Sequence, residues 1–158
     1  MPILNKLREV LEAQKVPYTV HSHPTAYTAQ EIAALEHVKG HAFAKVVMVK
    51  ADGRLIMLVL PADHRVDFAK LKSSLGVKEA ALAPEAEFKE LFPGSEVGAM
   101  PPFGNLYGIP VYMAPVWSTQ EDRDIVFNAG SHSLTVKLAL RDYLALVRPA
   151  TADFASHL

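Results

Sequence analysis

The order of apolar and polar residues divides the chain into short helical and alternating stretches. Ile3, Leu4, Leu7, Val10 and Leu11 recur at three- and four-residue intervals, which predicts an amphipathic helix over residues 3–14. Val16-Pro17 ends it, and Tyr18-Thr19-Val20-His21 reads as a short strand. Thr28-Ala29-Gln30-Glu31 has the form of a capping box, so a short helix through Leu35 is expected, with Gly40 as its stop. The clearest element is a hairpin. Ala42–Lys50 and Arg54–Leu60 are rich in Val, Ile, Leu and Met, and Asp52-Gly53 between them is a turn pair. Asp67 can cap a helix running to Leu75 and closed by Gly76. Pro84 suits the first turn of a further helix over residues 84–92, which Pro93-Gly94 terminates. Ile109–Val116 reads as a strand, and Ser118–Asp124 as a polar loop. Asp124–Asn128 and Ser133–Lys137 read as strands around Ala129-Gly130, and Arg141–Val147 as a helix. Thr151–Leu158 is expected to be a loosely held tail.

Helices and strands interleave without a regular repeat, and one hairpin must be antiparallel. That predicts a mixed-sheet α+β fold rather than a doubly wound sheet. At 158 residues the chain fits one domain, and half of it is apolar, enough for a proper core. Its net charge is −1, which excludes a broad basic surface for nucleic acid. There are no cysteines, so thiol chemistry, disulfides and Cys-zinc sites are excluded together. No G-x-G-x-x-G or P-loop pattern is present. Residues 2–15 lack the unbroken apolar run of a signal peptide. Val97–Gln120 carries no charge, but four prolines and three glycines break it, so a membrane span is rejected and a cytoplasmic location is expected.

Three places can carry chemistry. Lys45 alternates with Phe43, Val47 and Val49 on one strand face. Its stem can pack while the ammonium snorkels to water, or the ammonium can stand at a pocket rim and hold an anion or a polarised carbonyl. The loop Gly98-Ala99-Met100-Pro101-Pro102-Phe103-Gly104 combines stiff prolines with glycines that allow close backbone approach. It is either a rigid turn or a cradle presenting amides. Asn128-Ala129-Gly130-Ser131-His132-Ser133 sets small polar groups at a strand junction, where His132 can meet an amine or a carbonyl. No G-x-S-x-G elbow exposes Ser131, which argues against a serine nucleophile. His21, His23, His37 and His41 lack a metal-ligand pattern, so surface or packing roles and no metal are expected. Met48, Met57, Met100 and Met113 are expected as core filler.

Taken in order, these places resemble the YbaK/ProX deacylase family, free-standing relatives of the editing domain inserted in bacterial prolyl-tRNA synthetase. The carriers are His23-Pro24 with the Thr28–Ala33 helix start, Ala44-Lys45, Gly98-x-x-x-Pro102 with Phe103-Gly104, and Asn128-Ala129-Gly130-Ser131-His132. The resemblance implies a compact mixed fold, a largely antiparallel curved sheet flanked by helices. It implies hydrolysis of the ester between a wrong amino acid and the 3′-terminal ribose of tRNA, with no cofactor. Lys45 matches the family's essential lysine, and Gly98 and Pro102 match its pocket-shaping loop. His132 falls at a substrate-recognising position, and Ser131, Gly130, Tyr18, Phe103 and Gly104 match pocket neighbours. Val46 follows the lysine where some alanine-editing relatives carry Asn.

An aminoacyl ester is already activated. Water can attack it once positioned, provided the oxyanion is stabilised and the leaving 3′-hydroxyl is protonated, a step the ribose 2′-hydroxyl assists in the family. Lys45 and backbone amides of the Gly98–Gly104 loop are expected to supply the electrostatics, and pocket size the selectivity. The competing readings are a non-catalytic nucleotide- or protein-binding module and a hydrolase of other small aminoacyl esters. The expected partners are the acceptor end of a mischarged tRNA and an aminoacyl-tRNA synthetase. Lys39, Lys45, Lys50 and Arg54 against Asp52 would give that end a local positive grip, with Val97–Gln120 as pocket wall.

Overall fold

A computed structural model describes residues 4–26, 28, 32–34, 42–117 and 123–158. The first helix, α1 (Asn5–Ala13), buries Leu7 and Leu11. Leu4 stands outside it, because its amide donates to the Ala129 carbonyl at 3.1 Å. Strand β1 (Tyr18–Ser22) follows. Residues 32–34 are helical, and the Ile32 amide donates to the Thr28 carbonyl at 3.0 Å. The capping partner Glu31, the expected stop at Gly40, and Lys39, His37 and His41 lie outside the described residues.

The expected hairpin is β2 (Ala44–Ala51) and β3 (Arg54–Pro61), paired antiparallel from Ala44–Pro61 to Ala51–Arg54. Its turn places both Asp52 and Gly53 at positive φ, 48° and 81°, the twist-matched conformation of a two-residue hairpin. Both faces of this hairpin are covered. Ala44, Met48, Met57 and Val59 join the main core. Val49, Ile56, Leu58 and Leu60 join a second cluster with Leu71 and Phe154. Burial on both sides explains why β3 reads as a continuous apolar run rather than an alternating one.

Strand β4 (His64–Val66) leads into α2 (Phe68–Leu75). Asp67 caps α2 by accepting from the Lys70 amide, and Gly76 closes it in the left-handed region. A short β5 (Ala80–Leu82), which composition does not signal, pairs with β2. The helix expected over 84–92 is only α3 (Glu85–Phe88) and then a 3-10 turn, Lys89–Leu91. The tightening buries both Phe88 and Phe92 before Pro93. The strand expected over 109–116 shortens to β6 (Val111–Met113), bounded by Pro110 and by a 3-10 turn from Pro115. Strands β7 (Asp124–Asn128) and β8 (Leu134–Ala139) precede α4 (Leu140–Val147).

The expected loose tail is corrected. Residues 150–157 form β9 (Ala150–Thr151), parallel to β6, and β10 (Ala155–His157), antiparallel to β4. Phe154 between them is fully buried and fixes the segment. The sheets run β5-β2-β3-β6-β9, β1-β8-β7 and β10-β4. Most pairings are antiparallel, as expected, with β3–β6 and β6–β9 parallel. A parallel bridge between Phe43 and Val126 joins the first two sheets.

Candidate functional site

Lys45 lies near the start of β2 and pairs with Leu60. It shares its face with Val47 and Val49, which belong to the second cluster. Two residues earlier, Phe43 belongs to a third cluster with Ala26, Ile32, Ala33, Ala62 and Val126. Lys45 therefore stands at a junction of two apolar clusters, half-buried. This desolvation pushes its ammonium below the ordinary lysine range, and the negative charge of Asp63 opposes the shift. Asp63 is itself engaged. Its Oδ1 accepts from His64 Nδ1 at 2.7 Å, and its Oδ2 lies 3.6 Å from His157 Nε2. The His64 and His157 rings meet edge to face, with centroids 5.0 Å apart.

The two loops expected to matter are locked together. The Glu96 amide donates to the Gly130 carbonyl at 2.8 Å, and the Gly130 amide donates to the Ala99 carbonyl at 3.0 Å. His132 Nε2 donates to the Val97 carbonyl at 2.9 Å, with Glu96 Oε2 at 3.9 Å. Gly98 adopts φ 84°, and a Cβ there would lie 3.4 Å from the His132 ring. That is an ordinary contact distance, so the left-handed backbone rather than lack of space demands glycine.

The expected residues divide by position. Gly98 is exposed, whereas Pro102 is buried and its carbonyl accepts from the Tyr143 hydroxyl at 2.7 Å. Full burial pushes that phenol far above its ordinary range, so it remains a donor. Phe103 and Gly104, expected beside substrate, are core residues instead. Phe103 is fully buried against Phe127 and Tyr143. A Cβ on Gly104 would meet the Ile109 carbonyl and Val111 at 3.0 Å. Gly130 has both backbone groups engaged and Leu4 packed over it. Ser131 Oγ lies 3.3 Å from Ser133 Oγ and also accepts from the Ser133 amide.

Tyr18 is not brought to this end. It pairs with Leu138, while Ser22 at the other end of β1 pairs with Leu134, next to the 129–132 loop. Tyr18 instead lines a cleft of about 340 Å³ with Lys137, Arg141 and Asp142. The uncharged stretch is likewise mostly core rather than pocket wall. Residues from Ala99 to Gly104, with Ile109, Val111, Met113 and Trp117, are buried. The local positive grip is also reduced, because Lys50 pairs with Glu87 at 3.2 Å. The four methionines fill core positions, as expected.

What joins Lys45 to the second loop is the Phe43–Val126 bridge. The bridge is parallel, so both chains leave it in one direction. Two residues on stand Lys45 in one chain and Asn128 in the other. Ala26, packed in the same cluster, donates its amide to the His132 carbonyl at 3.2 Å. Asp63 and Tyr143 are the site-supporting residues that pattern reading missed, and Asn128 is named there without a role of its own. Asn128 carried a signal within its small polar stretch, whereas Asp63 and Tyr143 have none short of the fold. Among the described residues no helix is long and apolar enough to cross a membrane.

This arrangement offers a partly desolvated cation beside a rigid, neutral loop pair. That combination suits stabilisation of a developing oxyanion. Comparison with known proteins places the chain in a family. The aminoacyl-tRNA editing domain family matches residues 23–146. The multifunctional Ser/Thr-tRNA deacylase ProXp-y of Escherichia coli K12 is 33% identical over 128 residues, covering 77% of this chain and 75% of the relative. The proline–tRNA ligase of Bacillus subtilis is 29% identical over 121 residues, which are 77% of this chain and 21% of the ligase. A crystal structure of a candidate trans-editing enzyme for prolyl tRNA synthetase superimposes with a TM-score of 0.80 at 19% identity, over 99% of this chain and 98% of that one. The chain belongs to the aminoacyl-tRNA editing domain family.

Proposed function

We propose that this protein is a trans-acting aminoacyl-tRNA deacylase that removes a wrongly attached small amino acid by hydrolysing its ester at the 3′-terminal adenosine. The observation that carries the reading is the half-buried Lys45 ammonium at the cluster junction, in a family defined by tRNA editing. Water adds to the ester carbonyl, the bond to the ribose 3′-oxygen breaks, and free amino acid and a 3′-hydroxyl are released. Lys45 stabilises the oxyanion, and low local dielectric strengthens that interaction.

Among the amides of the Gly98–Gly104 loop, those of Ala99 and Phe103 donate within the loop region, to Glu96 and Pro101. The exposed Gly98 amide points instead at Met100 Sδ, 3.3 Å away. A thioether is a weak acceptor, so this amide is readily given to a stronger one. Gly98 is the exposed residue of a loop that is otherwise buried, and its amide is the one assigned to the oxyanion. The acceptor end of the tRNA is the part engaged. An aminoacyl-tRNA synthetase is the partner that hands over the mischarged product.

Val46 packs toward the main core with Ala44 and Met48, on the strand face opposite Lys45. A residue there acts on pocket shape from behind, so size rather than a polar contact from position 46 selects the side chain. The test is deacylation of tRNAs carrying Ala, Ser, Thr and Leu by the wild type and Lys45→Ala. Cleavage should decline with side-chain bulk and collapse in the variant. A flat profile, or a fully active variant, would overturn the assignment.

A further inference from the structure

Two buried hydrogen-bond acceptors border the same junction and have no use in the scheme above. Asn128 Oδ1 and His23 Nε2 are both inaccessible to solvent and have no hydrogen-bond partner among the described residues. Asn128 and His21 both pair with Thr135, one from each side of β8, and paired residues share a face of the sheet. His23 continues that ladder, because its amide donates to the Ser133 carbonyl at 3.0 Å. Val126, two residues before Asn128 and on the same face, packs in the cluster that also contains Phe43 and Ala62. The pair therefore borders the apolar cluster beside which Lys45 emerges.

The protonation of His23 follows from its neighbour. Its Nδ1 lies 2.7 Å from the Pro24 carbonyl. A carbonyl only accepts, so Nδ1 carries a hydrogen, and in that tautomer Nε2 presents a lone pair. Asn128 Oδ1 is an acceptor as well. Native folds rarely leave buried acceptors unmet, and two on one face of the sheet call for donors beyond the described residues. Water, with two hydrogens, can meet such acceptors in the free protein, and a substrate group must displace it. A hydroxyl brings one hydrogen and can satisfy one of the two. An ammonium group brings three, and its charge favours acceptors in a poorly hydrated site. Every aminoacyl ester carries such a group on the carbon next to the scissile carbonyl.

We propose that Asn128 and His23 position the α-ammonium group of the substrate, so that the site tests for a free α-amine as well as for side-chain size. The inference rests on the editing-hydrolase reading and adds to it a contact common to all its substrates. Holding the α-ammonium fixes the adjacent carbonyl relative to Lys45 and the Gly98 amide, which is how an interaction away from the reacting atoms raises the rate.

The experiment compares the fastest-cleaved of alanyl-, seryl- and threonyl-tRNA with the α-hydroxy ester obtained from it by nitrous-acid deamination. Wild type should prefer the amine by about tenfold or more in kcat/KM, because the hydroxy ester leaves one of the two acceptors unpaired. Asn128→Leu should lose about tenfold on the aminoacyl ester while cleaving the hydroxy ester within about twofold of wild type, which collapses the preference. Asn128→Asp keeps an acceptor and should keep the preference. A fold lesion would slow both esters alike. His23→Phe gives the same readout if Asn128→Leu does not fold, as judged by circular dichroism. Equal wild-type cleavage of both esters, or equal slowing of both by these variants, overturns the inference and leaves the editing reading standing. Cleavage of neither ester by wild type overturns the editing reading itself.

Discussion

The two halves of the proposed site, Lys45 and the paired loops, are built on opposite principles. Around Lys45 the ammonium faces the charge of Asp63, a carboxylate that also meets the rings of His64 and His157. The loops at 96–99 and 129–132 are held by main-chain hydrogen bonds and by the His132 ring on the Val97 carbonyl. The first region is adjustable, since small changes in neighbouring charge alter how firmly Lys45 holds its proton. The second is a fixed frame, since each carbonyl and amide has one geometry in which it is satisfied. Changes near Lys45 should thus alter rate and pH dependence with only small changes in stability. Changes in the loops should alter rate and stability together.

The largest break in that contrast is Lys45→Ala. Loss of one preorganised oxyanion stabiliser typically costs about 10²- to 10³-fold in rate, and deacylation should fall by that factor. A half-buried cation is not favourable to folding, so thermal unfolding should occur at or slightly above the wild-type temperature. Parallel deacylation and melting measurements check both statements. Gly98→Ala comes next. The side chain must either adopt a left-handed backbone, at about 1–2 kcal/mol, or rotate the Gly98 amide away from the site. A misplacement of about 1 Å can cost on the order of 10²-fold, so activity should drop about tenfold or more alongside a lower melting temperature.

Tyr143→Phe tests the frame from beneath. It leaves the buried Pro102 carbonyl without its donor at an expected cost of about 1–3 kcal/mol. In a chain of this length that is a fall of roughly 2–10 °C in melting temperature. Activity should fall less than in Gly98→Ala, because the loop loses one tether while Gly98 keeps its conformation. Unchanged melting would show that the Tyr143 bond contributes nothing to the frame.

The same contrast explains what the sequence disclosed. The hairpin, the Asp67 cap, the Gly76 stop and the mixed α+β fold follow from local rules, and local rules were enough. The loop motifs were also visible, because glycine and proline mark backbone shapes that few other residues tolerate. What was hidden is whatever depends on distant partners. Phe103 and Gly104 look like loop residues and are core, since burial comes from Phe127, Tyr143 and Val111. The segment after Thr151 looks like a tail, because Phe154 alone reveals nothing of the cavity it fills. Tyr18 matches a pocket position by order along the chain, yet antiparallel pairing with Leu138 carries it to the far end of β8. Asp63 has no local mark at all and gains meaning from Lys45.

Asp63→Asn is the mildest change, and it separates the two regions most cleanly. Burial already lowers the Lys45 pKa, and the Asp63 charge holds it up. Removing that charge must lower it further. If the protonated ammonium is the active form, the rate declines as pH rises through the Lys45 pKa, and in the variant this alkaline limb moves to lower pH. The effect on stability follows from proton linkage. Where the folded pKa lies below the unfolded value, the unfolded chain binds more protons between the two, so stability increases with pH across that window. Asp63→Asn widens the window at its lower edge and makes the neutral-pH protein slightly less stable. The Asp63 charge also faces His64 and His157, and His64→Gln changes that neighbourhood while keeping the carboxylate. The alkaline limb of the enzyme-dependent rate should therefore shift in Asp63→Asn and stay in place in His64→Gln. A limb unmoved in both would detach Lys45 from its charged surroundings, leaving the loops as the only tunable part of the site.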